Sequence, residues 1–185
     1  NVKSRKIIAG VDEVGRGSLV GSVFSAAVIF QPLIHIENLV DSKKLSFKNR
    51  IKLSSSIIVN SLSVSIGVAT KDEIDEINIH HATLLSMKRA VDNLSITPDK
   101  IYIDGLYVPD LNIESHAIVR GDSKVREISA ASIIAKVARD NEMAHLNKSF
   151  TIYDFIKNKG YGTPHHLQAI SFFGKTIHHR ESFLK

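Results

Sequence analysis

The 185-residue sequence has no cysteine, which excludes disulfides, thiolate nucleophiles and cysteine-ligated zinc or iron–sulfur centres together. Any metal must sit on oxygen or imidazole. Its four prolines are scattered, and no Pro/Gly-rich linker, low-complexity tract or internal repeat divides it. Long apolar runs are missing too. The longest, AAVIF at 26–30, falls far short of the roughly 20 residues that cross a bilayer, and no charged, apolar and small-residue tripartite start reads as a signal peptide. The expectation is a soluble, cytoplasmic protein with no membrane partner. The chain starts at Asn1 rather than methionine, consistent with a trimmed N-terminal segment. A Walker lysine, a G-x-S-x-G elbow and an H-E-x-x-H zinc motif are all lacking, so acyl transfer has no visible nucleophile.

What is present is an apolar fraction of 43%, enough for one compact domain to offset its ordering entropy. Lys and Arg number 24 against 19 acids, a formal charge of +5, which favours an anionic partner without identifying it. KIIAGVD (6–12) and VFSAAVIF (23–30) are β-branched and apolar, as strands joined by a glycine turn would be. A helix can form from Ser46, and LSVSIGVAT (62–70) alternates with the period of a half-buried strand. Thr70 and Glu73 form a T-x-x-E capping box that opens a helix running to about Leu94 with a break near Asn78. Further strands are expected over 100–105 and 116–122, a long helix over 127–146, and a last helix with Thr163 as N-cap and Pro164 in its first turn. Strands followed by alternating helices and strands predict a mixed sheet covered by helices.

The chemistry concentrates in acids at strand ends. Asp12 and Asp104 each close an apolar strand, so parallel neighbouring strands would bring both to one sheet edge, with Glu13 and Asp122 able to complete a four-acid pocket. Clustered carboxylates either take up a proton or hold a cation, and an all-oxygen site suits Mg²⁺ or Mn²⁺. The turn GRGSLVG also resembles a weak dinucleotide fingerprint, but a pyrophosphate there would meet Asp12 and Glu13 head-on. Basic residues surround the acids: Arg16, DSKKLS (41–46), RGDSKVRE (120–127) and HHRESF (178–183). Cations in these places suit a phosphodiester approaching metal-binding carboxylates. A noncatalytic nucleic-acid-binding module is the alternative from another class. It would need the basic surface but gain nothing from converging acids, which repel phosphate when no metal is bound.

Taken together, AGVDEVGRGSLVG, DSKKLS, IYIDG, GDSKVREISAASIIAKVARD, GYGTPHH and HHRESF occur in the order and approximate spacing of bacterial ribonuclease HII, across nearly the whole chain. The resemblance implies an α/β fold, an RNase H-like mixed β-sheet flanked by helices with a helical C-terminal part. It reads as a single catalytic domain over 1–185 whose segment from about 147 to 185 contributes to substrate binding. It further implies endonucleolytic cleavage of RNA in RNA–DNA hybrids and 5′ of single ribonucleotides embedded in duplex DNA. Two Mg²⁺ or Mn²⁺ ions would act during catalysis, leaving 5′-phosphate and 3′-hydroxyl ends. Carried over by motif, Asp12, Glu13, Asp104 and Asp122 are the metal-binding and catalytic acids. Gly15, Arg16 and Gly17 approach the ribose 2′-hydroxyl through their main chain, Tyr161 packs on sugar at the RNA-to-DNA step, and Lys43 and Lys44 contact phosphate. Asp140 is given a supporting role in helix packing, and the pairs His80–His81, His165–His166 and His178–His179 surface or capping roles. A monomer is expected.

Three departures stand out. Ser18 and Ser22 occupy positions where relatives commonly have proline, which should loosen the loop. Pro164 stands where lysine is frequent, removing one possible contact to the DNA backbone. The sister type, ribonuclease HIII, usually carries an extra N-terminal domain, and a catalytic motif starting at residue 10 argues against that reading.

Overall fold

The computed structural model describes residues 5–39 and 44–185. Five strands, β1 (Ile8–Val14), β2 (Val23–Phe30), β3 (Ser61–Ala69), β4 (Lys100–Asp104) and β5 (Glu114–Ile118), form one sheet in the order β3-β2-β1-β4-β5. The first three pair antiparallel, whereas β1–β4 and β4–β5 are parallel. The helices are α1 (Phe47–Val59), α2 (Lys71–Asp92), α3 (Arg126–Ser149), the single turn α4 (Phe155–Asn158) and α5 (Pro164–Phe173).

The period-two pattern of β2 explains why both sheet faces are covered. Ala26, Val28 and Phe30 pack with Leu53 and Ile57 of α1 and Ile133 and Ile134 of α3. Ala27 and Ile29 point the other way, against Met87, Ala90 and Val91 of α2. Strand β1 has glycine where α3 crosses it, and a Cβ on Gly10 would lie 2.2 Å from the main-chain carbon of Glu127. That near-contact sets α3 directly over the strand carrying Asp12.

Local signals explain the helix ends. Ser46 accepts the Asn49 N–H at the start of α1, and both halves of the Thr70–Glu73 capping box form. The break in α2 falls on Asn78 (φ 70°, ψ 167°), whose side chain accepts the N–H of His81 at 3.0 Å and so caps the second half. Thr163 caps α5 with Pro164 in the first turn, as expected. Among the described residues no helix is long and apolar enough to cross a membrane.

Candidate metal centre and its glycine loop

Asp12 and Asp104 meet because β1 and β4 run parallel in a register that pairs Val11 with Ile103. The next residue on each strand is the carboxylate. One oxygen from each of Asp12, Glu13 and Asp104 lies within 4.8 Å of the other two. Asp12 is 5% exposed, and Glu13 and Asp104 are half-buried. Glu13 and Asp104 open on a cleft lined also by Arg16, His80, Thr83 and Tyr107. Burial pushes the Asp12 carboxyl well above the usual carboxylate range, and the charges of Glu13 and Asp104 push it further. Glu13 is raised as well, chiefly by burial, with hydrogen bonding to Asp12 and the charge of Arg16 opposing.

This donor set fits a divalent cation. All its atoms are hard oxygens, and Glu13 Oε2 is buried without a hydrogen-bond partner, an acceptor left over by the fold. Burial and mutual repulsion, the causes that raise the Asp12 carboxyl, are both relieved by a bound cation.

Asp122 reaches the group differently from the expectation. The strand expected over 116–122 is Glu114–Ile118. Arg120 adopts a left-handed conformation (φ 54°) that ends the extended run, and Gly121–Ser123 form a 3₁₀ turn. Asp122 therefore sits on a turn, not at a strand end. Its main-chain N–H donates to Asp104 Oδ1 at 3.2 Å, and the turn is tied to α3 by the Ser129 hydroxyl on the Asp122 carbonyl. The group sharing the 4.8 Å spacing is Asp12, Glu13 and Asp104, with Asp122 alongside.

The loop after β1 is shaped by two conditions on Gly15. Its φ is +94°, and a Cβ would lie 2.6 Å from Arg139 Nε, so conformation and space both require glycine. A Cβ on Gly17 would lie 3.5 Å from Cε1 of Tyr161, which places that half-exposed ring across from the loop. Arg16 is exposed, its guanidinium 4.0 Å from Glu13 Oε1. Lys44 is exposed, and Lys43 lies outside the described residues.

At Ser18 and Ser22 hydrogen bonds stand where a proline ring would constrain the backbone. The buried Ser18 hydroxyl accepts from Arg139 Nη2 at 2.6 Å and donates to the Val20 carbonyl at 2.9 Å. Ser22 donates its N–H to Glu142 Oε2 at 3.2 Å, a bond proline cannot make. Polar ties replace the ring constraint.

Two residues that organise the loop had escaped the sequence reading. Arg139, 1% exposed, holds Ser18, the Val20 carbonyl at 2.7 Å and Glu142 at 2.6 Å. Arg180, read as part of a phosphate-facing basic tail, is fully buried and donates to the carbonyls of Gly15, Arg16 and Gly21 at 2.7, 2.9 and 2.9 Å. Burial, with Arg139 beside it, pushes Arg180 down to about 9, so it stays charged at neutral pH. Composition signals neither role, because both depend on partners more than a hundred residues away. Asp140 takes the expected packing role: it accepts from Lys136 at 2.6 Å and pairs with Arg50 of α1 at 3.6 Å.

His166 and His179 are also a correction, since both are fully buried rather than at the surface. Thr176 N–H donates to His179 Nδ1 at 2.8 Å, the two Nε2 atoms lie 3.0 Å apart, and His166 Nδ1 donates to the Tyr161 carbonyl at 2.8 Å. One arrangement satisfies all three bonds: His179 carries its proton on Nε2, His166 on Nδ1, and both rings are neutral. Burial lowers both, with His166 adding to the effect on His179, which falls to about 4. A depressed folded-state value means that stability is complete above the usual 6.5 and is lost as the pH falls toward 4, by on the order of 3 kcal/mol. Asp12, with its raised carboxyl, acts in the opposite direction. Thermal unfolding of the native chain and a His179→Gln variant between pH 7 and 4.5 isolates the imidazole contribution. The variant is expected to lose less stability on acidification; equal losses would contradict the neutral pair.

Comparison with known proteins agrees with this geometry. The sequence model of the family described as Ribonuclease HII matches residues 9–185. The chain belongs to the ribonuclease HII family. It is accordingly a metal-dependent ribonuclease H, an endonuclease of RNA–DNA hybrids. Ribonuclease H2 from Pyrococcus horikoshii OT3 is 28% identical, with a TM-score of 0.81 over 95% of this chain and 92% of that one. RNase HII from Archaeoglobus fulgidus, solved in a complex with PCNA, is 24% identical, with a TM-score of 0.77 over 95% and 94% of the two chains. Bst-RNase HIII in complex with Mn²⁺ shares the fold at 18% identity, with a TM-score of 0.67 over 92% of this chain and 70% of that one. The five-stranded mixed sheet flanked by helices, with its helical C-terminal part, is the RNase H-like fold of the ribonuclease HII structures.

Proposed function

We propose that this ribonuclease HII cuts 5′ of single ribonucleotides embedded in duplex DNA as well as within longer hybrids, leaving 5′-phosphate and 3′-hydroxyl ends. Asp12, Glu13, Asp104 and Asp122 would hold two divalent ions, Mg²⁺ or Mn²⁺. The observation that carries the reading is the convergence of Asp12, Glu13 and Asp104 within 4.8 Å at the mouth of a glycine loop faced by an aromatic ring. Ions bound there supply activation of the attacking water and stabilisation of the departing 3′ oxygen.

The remaining work falls to the protein. Gly15, Arg16 and Gly17 leave a side-chain-poor surface on which a ribose can approach the main chain, and their N–H groups suit its 2′-hydroxyl. Tyr161 offers a ring for the sugar at the RNA-to-DNA step, where shape and the 2′-hydroxyl discriminate rather than base edges. Arg16, Lys43 and Lys44 neutralise nearby phosphate. The segment from about 147 to 185 contributes Tyr161 and the buried tail that braces the loop, so it acts as part of one catalytic domain.

The test is a duplex DNA with one ribonucleotide, incubated with the protein with and without Mg²⁺ or Mn²⁺. Nicking 5′ of the ribonucleotide that requires the metal is expected. A metal-independent mobility shift without a nick would contradict it in favour of a binding module.

A further inference from the structure

We propose that Arg180 is a positioning residue that aims the main-chain N–H groups of Arg16 and Gly17 at the substrate ribose and thereby sets the preference for a 2′-hydroxyl. The inference rests on the ribonucleotide-cutting reading above and adds the residue that gives the loop its specificity.

The argument begins with the planarity of the peptide group. In a trans peptide the carbonyl of one residue and the N–H of the next point in opposite directions. Arg180 Nη2 takes the carbonyl of Gly15 and Nη1 that of Arg16. The N–H groups of Arg16 and Gly17 must therefore face away from the guanidinium. Neither is given to a main-chain acceptor within the described residues. The side they face cannot be left to chance, because Gly15 at φ +94° has a conformational freedom that would allow other peptide orientations.

Arg180 also closes the loop from its far end. Its Nε donates to the Gly21 carbonyl at 2.9 Å, so one planar cation fixes both the entry and the exit of the turn. Its own main-chain N–H donates to Leu19 at 2.8 Å, and its guanidinium lies over the Phe183 ring at 5.1 Å. Only a fork of donors spans three carbonyls in this way; the compact ammonium of lysine does not.

Energetics point the same way. A fully buried cation beside a second buried arginine carries a desolvation cost, and an apolar side chain there would leave the carbonyls of Gly15, Arg16 and Gly21 without their donor. What an apolar replacement could not do is hold two successive carbonyls turned inward.

Binding and cleavage together test this. In an Asp104→Asn background, where nothing is cut, dissociation constants are measured for a duplex with one ribonucleotide and for its all-deoxy counterpart. With Arg180 present the ribonucleotide duplex is expected to bind about tenfold more tightly. With Arg180→Lys the ratio should fall to near one while the all-deoxy constant stays within about twofold. In the otherwise native chain, Arg180→Lys should lower kcat on the single ribonucleotide by about 100-fold, the scale of a misplaced contact group, with KM rising no more than the roughly tenfold loss of binding. An Arg180→Lys protein that keeps both the ratio and kcat would overturn the proposal, as would one that loses affinity equally for both duplexes.

If Arg180→Lys does not fold, amide chemical shifts of Arg16 and Gly17 in the ¹⁵N-labelled Asp104→Asn protein test the premise that these two N–H groups meet the ribose. They should move with the ribonucleotide duplex and not with the all-deoxy one, and equal movement would overturn the proposal. Should the native chain nick neither duplex with metal, the hydrolytic reading fails, while the binding ratio still reports on Arg180.

Discussion

Asp12→Asn is expected to raise the thermal midpoint of the metal-free protein by a few degrees while lowering cleavage by about 1,000-fold or more. The two effects have one cause. Burial and the charges of Glu13 and Asp104 raise the Asp12 carboxyl well above its ordinary value. A carboxyl raised in the fold contributes stability while it is protonated, below its unfolded value, and that contribution is lost as the pH rises through the folded value. At pH 7–8, without a cation, the buried Asp12 carboxyl therefore opposes folding. Asparagine keeps the shape and removes the charge. It also removes an oxygen and the negative charge proposed to hold an ion, so the catalytic loss should be large. Differential scanning calorimetry in EDTA and steady-state nicking in Mg²⁺ read the two sides. A lower midpoint together with retained cleavage would contradict the role assigned to Asp12.

Alanine at two glycines should separate folding from recognition. Gly10→Ala places a Cβ 2.2 Å from the Glu127 main-chain carbon and 2.3 Å from the Ile128 nitrogen. Backbone cannot yield as a flexible side chain does, so α3 must move off β1. A loss on the order of 3 kcal/mol is expected, readable as an earlier urea midpoint. Gly17→Ala places its Cβ 3.5 Å from the Tyr161 ring, an ordinary contact. It should leave the urea midpoint nearly unchanged and lower kcat/KM on a single ribonucleotide by about tenfold or more, because the methyl stands between the loop and the ring. Equal destabilisation by the two substitutions would remove the distinction between a packing glycine and a substrate-facing one.

What could be foreseen from the sequence was local or periodic. The Thr70–Glu73 capping box, the break at Asn78 and Pro164 opening α5 are settled within a few residues of chain, and all three appear as expected. The meeting of Asp12 and Asp104 follows from two apolar strands that end in acid, once the strands are parallel neighbours. The error at β5 has a local cause of another kind: HAIV continues the β-branched pattern, but Arg120 turns left-handed, a state rare outside glycine and not signalled by the side chains around it. Arg139, Arg180 and the His166–His179 contact were beyond reach for a different reason. Each buries a polar group against carbonyls or rings distant in sequence, and charge or imidazole in a motif reads first as surface. Ser18 is similar. Without proline, flexibility was the natural expectation, and only the folded chain brings Arg139 to its hydroxyl.

Anomalous diffraction from crystals soaked in Mn²⁺, collected at the manganese edge, tests most directly whether this carboxylate group is a metal centre. Manganese is predicted between Asp12, Glu13 and Asp104, with the orphaned Oε2 of Glu13 among its ligands. A map with no manganese peak among these oxygens, from crystals of protein that nicks its substrate in the same metal, would contradict the account.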